Sequence, residues 1–191
     1  MGWRNNDEQW GWIAVILHWS TAAGVLLMFP LGLWMTSLEY YDSWYHRAPY
    51  MHESLGVLIF FLVVLRLAWK WSGRAPQPLA THTRIERIVA AGVHPLLYLL
   101  LLAVLASGYL MATADGSAVE VFGWFSLPAL ISGREQQADI AGQVHLVLAI
   151  TLIALVLLHI LAALKHHFID HDRTLLRMLG RPDKTKGNTR R

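Results

Sequence analysis

Residues 143–168 read QVHLVLAITLIALVLLHILAALKHHF, and the thirteen residues 146–158 within them carry no charge. A hydrocarbon core takes about 20 helical residues at about 1.5 Å rise each, so this run is long enough to cross a bilayer. Its two histidines, His145 and His159, are 14 residues apart. That separation is almost four helical turns and about 21 Å of rise, which puts both imidazoles on one face at opposite depths.

Three further segments have the same character. The first runs from about Trp12 to Leu38 and contains Pro30. The second runs from His52 to Trp71 with Glu53 at its start and Arg66 inside it. The third covers Ile88 to Ala112 with Pro95 near its beginning, where a proline costs least. With the fourth at 143–168, the expectation is an all-α integral membrane protein, a four-helix transmembrane bundle occupying residues 1–181. Residues 182–191 follow as a basic cytoplasmic tail. Only 15% of the 191 residues are charged, nine are Trp, and the mean hydropathy is +0.39, values that belong to lipid rather than to a soluble domain. The apolar run after the polar start continues for over 20 residues without a small-residue cleavage site, so it reads as a retained helix rather than a signal peptide.

Charge placement sets the orientation. The two loops after the first and third spans hold Arg47 and Arg134 against Glu39, Asp42, Asp115, Glu120, Glu135 and Asp139. The middle connection and its flanks carry Arg66, Lys70, Arg74, Arg84 and Arg87, and residues 165–191 contain eight Lys or Arg. The positive-inside rule then makes both termini cytoplasmic. The formal net charge of +3 reflects this asymmetry and no nucleic-acid surface; attraction to anionic lipid accounts for the tail. Trp34, Trp44, Trp69, Trp71 and Trp124 fall near span ends, as interfacial anchors do. The outer stretch AVEVFGWFSLPAL at 118–130 reads either as a short amphipathic interfacial piece or as a covered loop.

Five of the ten histidines lie in or at the mouth of these spans: His18, His52, His94, His145 and His159. In lipid an imidazole needs a partner and marks a functional candidate. Depth sorts them, with His52 and His145 outer, and His18 and His159 inner. Two histidines per depth are too few for a structural zinc site, which takes four ligands. A haem iron has four ring nitrogens and asks the protein only for axial ligands. The absence of cysteine excludes disulfides, iron–sulfur ligation and covalent c-type attachment. Two non-covalent b-type haems with bis-histidine ligation are therefore expected, with electron transfer as their task. Gly56 and Ala149, four residues after His52 and His145, are placed to leave room beside the ligands. Arg66, 14 residues after His52, either pairs with an inner haem propionate or snorkels to headgroups. His94 either bonds a propionate or a quinone carbonyl, or simply satisfies a backbone carbonyl. His166, His167 and His171 are expected at headgroup level, where they could border a quinone or propionate. A haem-free bundle whose histidines relay protons is the reading from another class, and an absorption spectrum separates it from the first.

The motifs ILHW at 16–19, MHESLG at 51–56, VVLRL at 63–67, HPLLYLLL at 94–101, the pair His145 and His159, and LKHHFIDHDRTLLRMLG at 164–180 together resemble the bacterial cytochrome b561 family. That family is related to the b-type subunits of nickel–iron hydrogenases and formate dehydrogenases. The resemblance spans the chain to about Arg181. It implies axial roles for His18, His52, His145 and His159, a place in the bacterial inner membrane, and electron exchange with the ubiquinone pool of a respiratory chain. One characterised type is a superoxide:ubiquinone oxidoreductase. With acidic outer loops, steering of superoxide here would fall to Arg47, His46 or Arg134. The alternative is a membrane subunit linking a periplasmic dehydrogenase or cytochrome to quinone.

Overall fold

A computed structural model describes residues 2–181; the basic tail at 182–191 lies outside the described residues. Four long helices form in chain order: α1 (Trp12–Met35), α2 (Arg47–Ser72), α3 (Arg84–Ala112) and α4 (Gln137–Phe168). All four are long and apolar enough to span a membrane. The chain is thus a four-helix transmembrane bundle. A short helix, α5 (Thr174–Met178), follows, and the connection between α3 and α4 carries two strands, β1 (Val119–Val121) and β2 (Phe125–Leu127).

The helices overrun the apolar spans read from sequence. α2 begins at Arg47 rather than His52, α3 at Arg84 rather than Ile88, and α4 at Gln137 rather than Gln143, while α1 stops at Met35, short of Leu38. Hydropathy marks where the hydrocarbon ends, whereas backbone hydrogen bonding continues into polar residues until a cap stops it. At α3 the stop is a capping box. The Thr83 hydroxyl accepts from the Glu86 amide, and the Glu86 carboxylate accepts from the Thr83 amide. Pro95 consequently lies well inside α3 rather than near its first turn, and Pro30 lies inside α1.

β1 and β2 pair antiparallel with Val119 opposite Leu127 and Val121 opposite Phe125. The stretch expected as an interfacial helix or covered loop is a hairpin because Val119-Glu120-Val121 alternates with period two, which buries both valines on one face. They pack with Val57 of α2. The Ser54 hydroxyl on α2 donates to the Glu120 carbonyl at 3.0 Å and accepts from the Phe122 amide at 3.3 Å. The remainder of this loop is tied down by Tyr109, whose hydroxyl donates to the Pro128 carbonyl at 2.6 Å, and by the Gln137 amide, which reaches the Leu110 and Ile131 carbonyls. At the hairpin tip Trp124 is 72% exposed, the placement an interfacial anchor needs.

At the opposite end the termini gather. The Gln77 amide donates to the Asp7 carbonyl at 2.9 Å, Arg177 donates to the Gln77 carbonyl at 2.8 Å, and the Trp19 indole donates to the Met178 carbonyl at 2.7 Å. Between the two ends sits an apolar layer of Val25, Ile59, Val63, Leu101 and Leu152. Packing is uneven around the bundle. α1 packs closely on α2 and α3 on α4, whereas α1 barely meets α4. The molecule is two tight helical hairpins with a looser seam between them.

Candidate functional site

The histidines cluster along that seam. His52 of α2 and His145 of α4 face each other with ring centroids 6.2 Å apart, nearly perpendicular at 77°. They line a cavity of about 650 Å³, within the range of about 300–1,000 Å³ usual for small-molecule and cofactor sites. Its walls are apolar, with Val57, Ile59, Leu101, Val104 and Leu152 among them. Gly56 and Ala149 line it as the sequence reading expected, and Glu53 is its one acidic residue.

Each imidazole of this pair is crowded by a glycine that the sequence reading did not single out. A Cβ on Gly32 would lie 3.1 Å from His52 Cε1, and one on Gly108 would lie 3.0 Å from His145 Cε1. Both glycines stand on the partner helix within each hairpin, so no spacing along α2 or α4 could have marked them. The only local sign was Ser107-Gly108 interrupting an otherwise apolar run. His145 Nδ1 donates to the Val104 carbonyl at 2.9 Å, with the Ser107 hydroxyl 3.4 Å away. Such a bond fixes the tautomer and leaves Nε2 with a free lone pair for a metal. His52 Nδ1 is buried and has no hydrogen-bond partner among the described residues, a cost that native interiors rarely carry without a functional reason.

At the other end the arrangement is polar. Arg66 Nη2 donates to His18 Nδ1 at 2.6 Å, and its guanidinium lies over the Tyr98 ring at 5.1 Å, with Lys70 also over that ring at 5.0 Å. Arg66 therefore turns into the bundle rather than out to the headgroups. His94 Nδ1 donates to the Ala90 carbonyl one turn back at 2.6 Å. The ring of His94 meets His159 at 5.4 Å between centroids. Of the two inner histidines paired by depth, His18 thus touches Arg66 and His159 touches His94. His18, His52, His145 and His159 are all partly buried, whereas His94 is exposed, with its ring against that of His159.

The fit to haem can be judged from these residues alone. α2 and α4 carry the facing pair His52 and His145, α1 and α4 carry His18 and His159, and these are the helix pairs held apart at the seam. An apolar cavity between two facing imidazoles, an orphaned imidazole nitrogen, glycines that let helices close on the rings, and a basic residue at the other end of the bundle form a donor set that suits b-type haem.

Comparison with known proteins agrees. Residues 9–181 match the family model of prokaryotic cytochrome b561. The chain is 46% identical over 187 residues to cytochrome b561 homolog 2 of Escherichia coli strain K12, covering 98% of this chain and 100% of that protein. It is 30% identical over 173 residues to cytochrome b562 of Cereibacter sphaeroides, covering 87% and 92%. A more distant relative, 28% identical over 181 residues and covering 90% and 96%, is a Yersinia pestis protein bearing the name "Probable superoxide oxidase CybB".

Proposed function

Because this chain belongs to the prokaryotic cytochrome b561 family and is a membrane b-type cytochrome, we propose that it carries two haem b groups and passes electrons between an outer donor and ubiquinone. The observation that carries the proposal is the placement of four partly buried imidazoles in two sets, at the two ends of the bundle, separated by the layer of Val25, Ile59, Val63, Leu101 and Leu152. His52 and His145 would hold the outer haem, and His18 and His159 the inner one. When bound, each haem supplies a reversible one-electron centre with no coordination position left for oxygen.

The protein's part is orientation and charge. The Val104 carbonyl holds His145 in the tautomer that ligation needs. Ligation through His18 Nε2 would leave the proton on Nδ1, where a guanidinium, a donor only, cannot also bond. Arg66 would then take another acceptor, and a haem propionate would supply the anion, which favours the propionate role over snorkelling. His94 is the more exposed of the inner histidines, and its Nδ1 is already committed to Ala90. Its Nε2 is free to bond a quinone carbonyl and exchange a proton there. Both termini are proposed to face the cytoplasm, with the chain in the inner membrane.

For the donor, the superoxide reading is supported by the name of the Yersinia pestis relative. The acidic outer loops favour a second reading, a basic periplasmic redox protein as donor and this chain as its membrane subunit. Two measurements test the proposal. Haem analysis and redox titration of the purified chain should give two haems per chain and two one-electron steps. One haem, or a haem lost in His94→Ala but kept in His18→Ala, would overturn the ligand assignment. Superoxide supplied to the purified chain should reduce ubiquinone. If it does not, while a reduced basic cytochrome does, the subunit reading stands.

A further inference from the structure

At the same end of the molecule as His18, outside the sites above, His82 from the connection before α3, His166 from the last turn of α4 and Asp172 from the turn before α5 converge. We infer that these three side chains form a binding site for a zinc-class divalent cation. His82 Nε2 is 3.1 Å and His166 Nδ1 3.2 Å from the same oxygen, Asp172 Oδ2. The two rings lie 4.8 Å apart between centroids, tilted by 38°, and the three donor atoms all lie within 4.8 Å of one another. Donors held about 2.0–2.2 Å from a tetrahedral ion stand a little over 3 Å apart along each edge, which two of the three separations already meet.

The local chain is built to present these atoms. His171 adopts a left-handed conformation with φ 51°, and the Asp172 amide turns back to donate to the His166 carbonyl at 2.9 Å. Asp172 Oδ1 accepts from the Thr174 amide at 2.8 Å, which fixes the carboxylate and leaves Oδ2 for the site, as a second shell does around a metal ligand. The Asp172 side chain is 1% exposed, and a carboxylate so buried requires compensating positive charge. His166 Nδ1 is buried and lies 2.9 Å from Asp170 Oδ2 as well as 3.2 Å from Asp172 Oδ2, yet it aligns for a hydrogen bond with neither. A ring nitrogen held this close to two carboxylate oxygens, out of line for a hydrogen bond with either, is an arrangement that a cation resolves.

The neighbouring group Glu86, His166 and Asp170 is a poorer candidate. The Lys165 ammonium is seated against both of its carboxylates, at 2.7 Å from Glu86 and 2.8 Å from Asp170. Lys165 neutralises that arm and leaves Asp172 with its charge uncommitted to any Lys or Arg pair shown among the described residues. With three protein donors, the fourth position would hold water, as in open zinc sites. The bound ion would staple the connection between the two helical hairpins to the end of α4, joining residues 90 apart in sequence.

The test uses the full-length, haem-loaded protein in detergent, without a histidine tag. Zinc ion alone is titrated in competition with a chromophoric chelator, and bound metal is counted by mass spectrometry after dialysis. One zinc per chain is expected, with affinity falling about tenfold or more in His82→Gln and in Asp172→Asn, and unchanged in His46→Gln and His171→Gln. Zinc should also raise the unfolding temperature of the wild-type protein and not that of His82→Gln. Unaltered haem content shows that a variant is folded, and His82→Gln serves if Asp172→Asn does not fold. No stoichiometric zinc, or zinc binding that survives His82→Gln, would overturn the inference.

Discussion

The two ends of the bundle hold their histidines in different ways. The His52 and His145 end is an apolar-walled cavity with glycines against both rings, one acid in its lining and a backbone carbonyl fixing one tautomer. The His18 and His159 end has a guanidinium, an ammonium, a phenol and a third imidazole within contact. The outer end is shaped by packing and the inner end by charge. A cavity that depends on fit should respond to added volume, and a site that depends on charge should respond to lost charge.

The sharpest break of the comparison comes from the ligands. His145→Ala removes the α4 contribution to the outer pair alone, so one whole haem should be lost while the other keeps its spectrum and potential. His159→Ala should produce the complementary loss. The check is haem per chain with low-temperature spectra of the reduced protein. Loss of both haems in either variant would mean that the two ends fold as one unit and are not independent sites.

A smaller effect is expected at the inner end from Arg66→Gln. A nearby cation favours the reduced iron, which carries one positive charge fewer, so removing Arg66 lowers the potential. At about 8 Å and an effective dielectric constant of about 20, one charge contributes about 2 kcal/mol. For a one-electron couple that is about 90 mV, since about 59 mV corresponds to a tenfold change. Pairing with a propionate would screen part of it, leaving some tens of millivolts. The outer haem, beyond the layer of Val25, Ile59, Val63, Leu101 and Leu152, should move much less. Equal shifts of both potentials in a redox titration would show that Arg66 belongs to neither end.

What could be read in the sequence follows the same division. The shared face of His145 and His159 was legible because it depends only on helical period along one run. So was the meeting of His52 with His145, which needs only the order of the spans. The four spans were legible for the same reason, though their ends were not, because capping by Thr83 and Glu86 acts beyond the hydrocarbon limit. Contacts between helices escaped. Gly32 against His52 and Gly108 against His145 join residues whose facing depends on how each hairpin closes. Arg66 was expected at the inner end, but its bond to His18 crosses from α2 to α1 and depends on helix rotation. The hairpin at 119–127 was missed since a three-residue alternation is too short to outweigh its apolar flanks.

Gly108→Ala tests the packed end without touching a ligand. Its Cβ would come 3.0 Å from His145 Cε1, so the ring or the helix must shift. Overpacking of this kind typically costs about 1–3 kcal/mol. Outer haem affinity should fall by about 5- to 150-fold, as measured by haem transfer to an acceptor protein. Gly92→Ala, on the same helix with nothing within 4 Å of its Cβ, should be silent. Matching losses in the two variants would point to a general effect on α3 rather than to fit around His145.

The smallest expected effect lies in the cover of the outer end. Ser54 is fully buried, and its hydroxyl links α2 to both the Glu120 carbonyl and the Phe122 amide. In Ser54→Ala the Phe122 amide loses this acceptor. A hydrogen bond of this type has a net value of about 1 kcal/mol, so local opening should become about fivefold more frequent. Amide exchange at Phe122 should accelerate by that factor, while amides around Tyr98 at the charged end keep their rates. Val119 and Val121 still pack with Val57 after the substitution, so the hairpin should loosen without detaching. If exchange rose equally at both ends, the cover would be holding the whole bundle together, and the separation of a packed end from a charged end would fail.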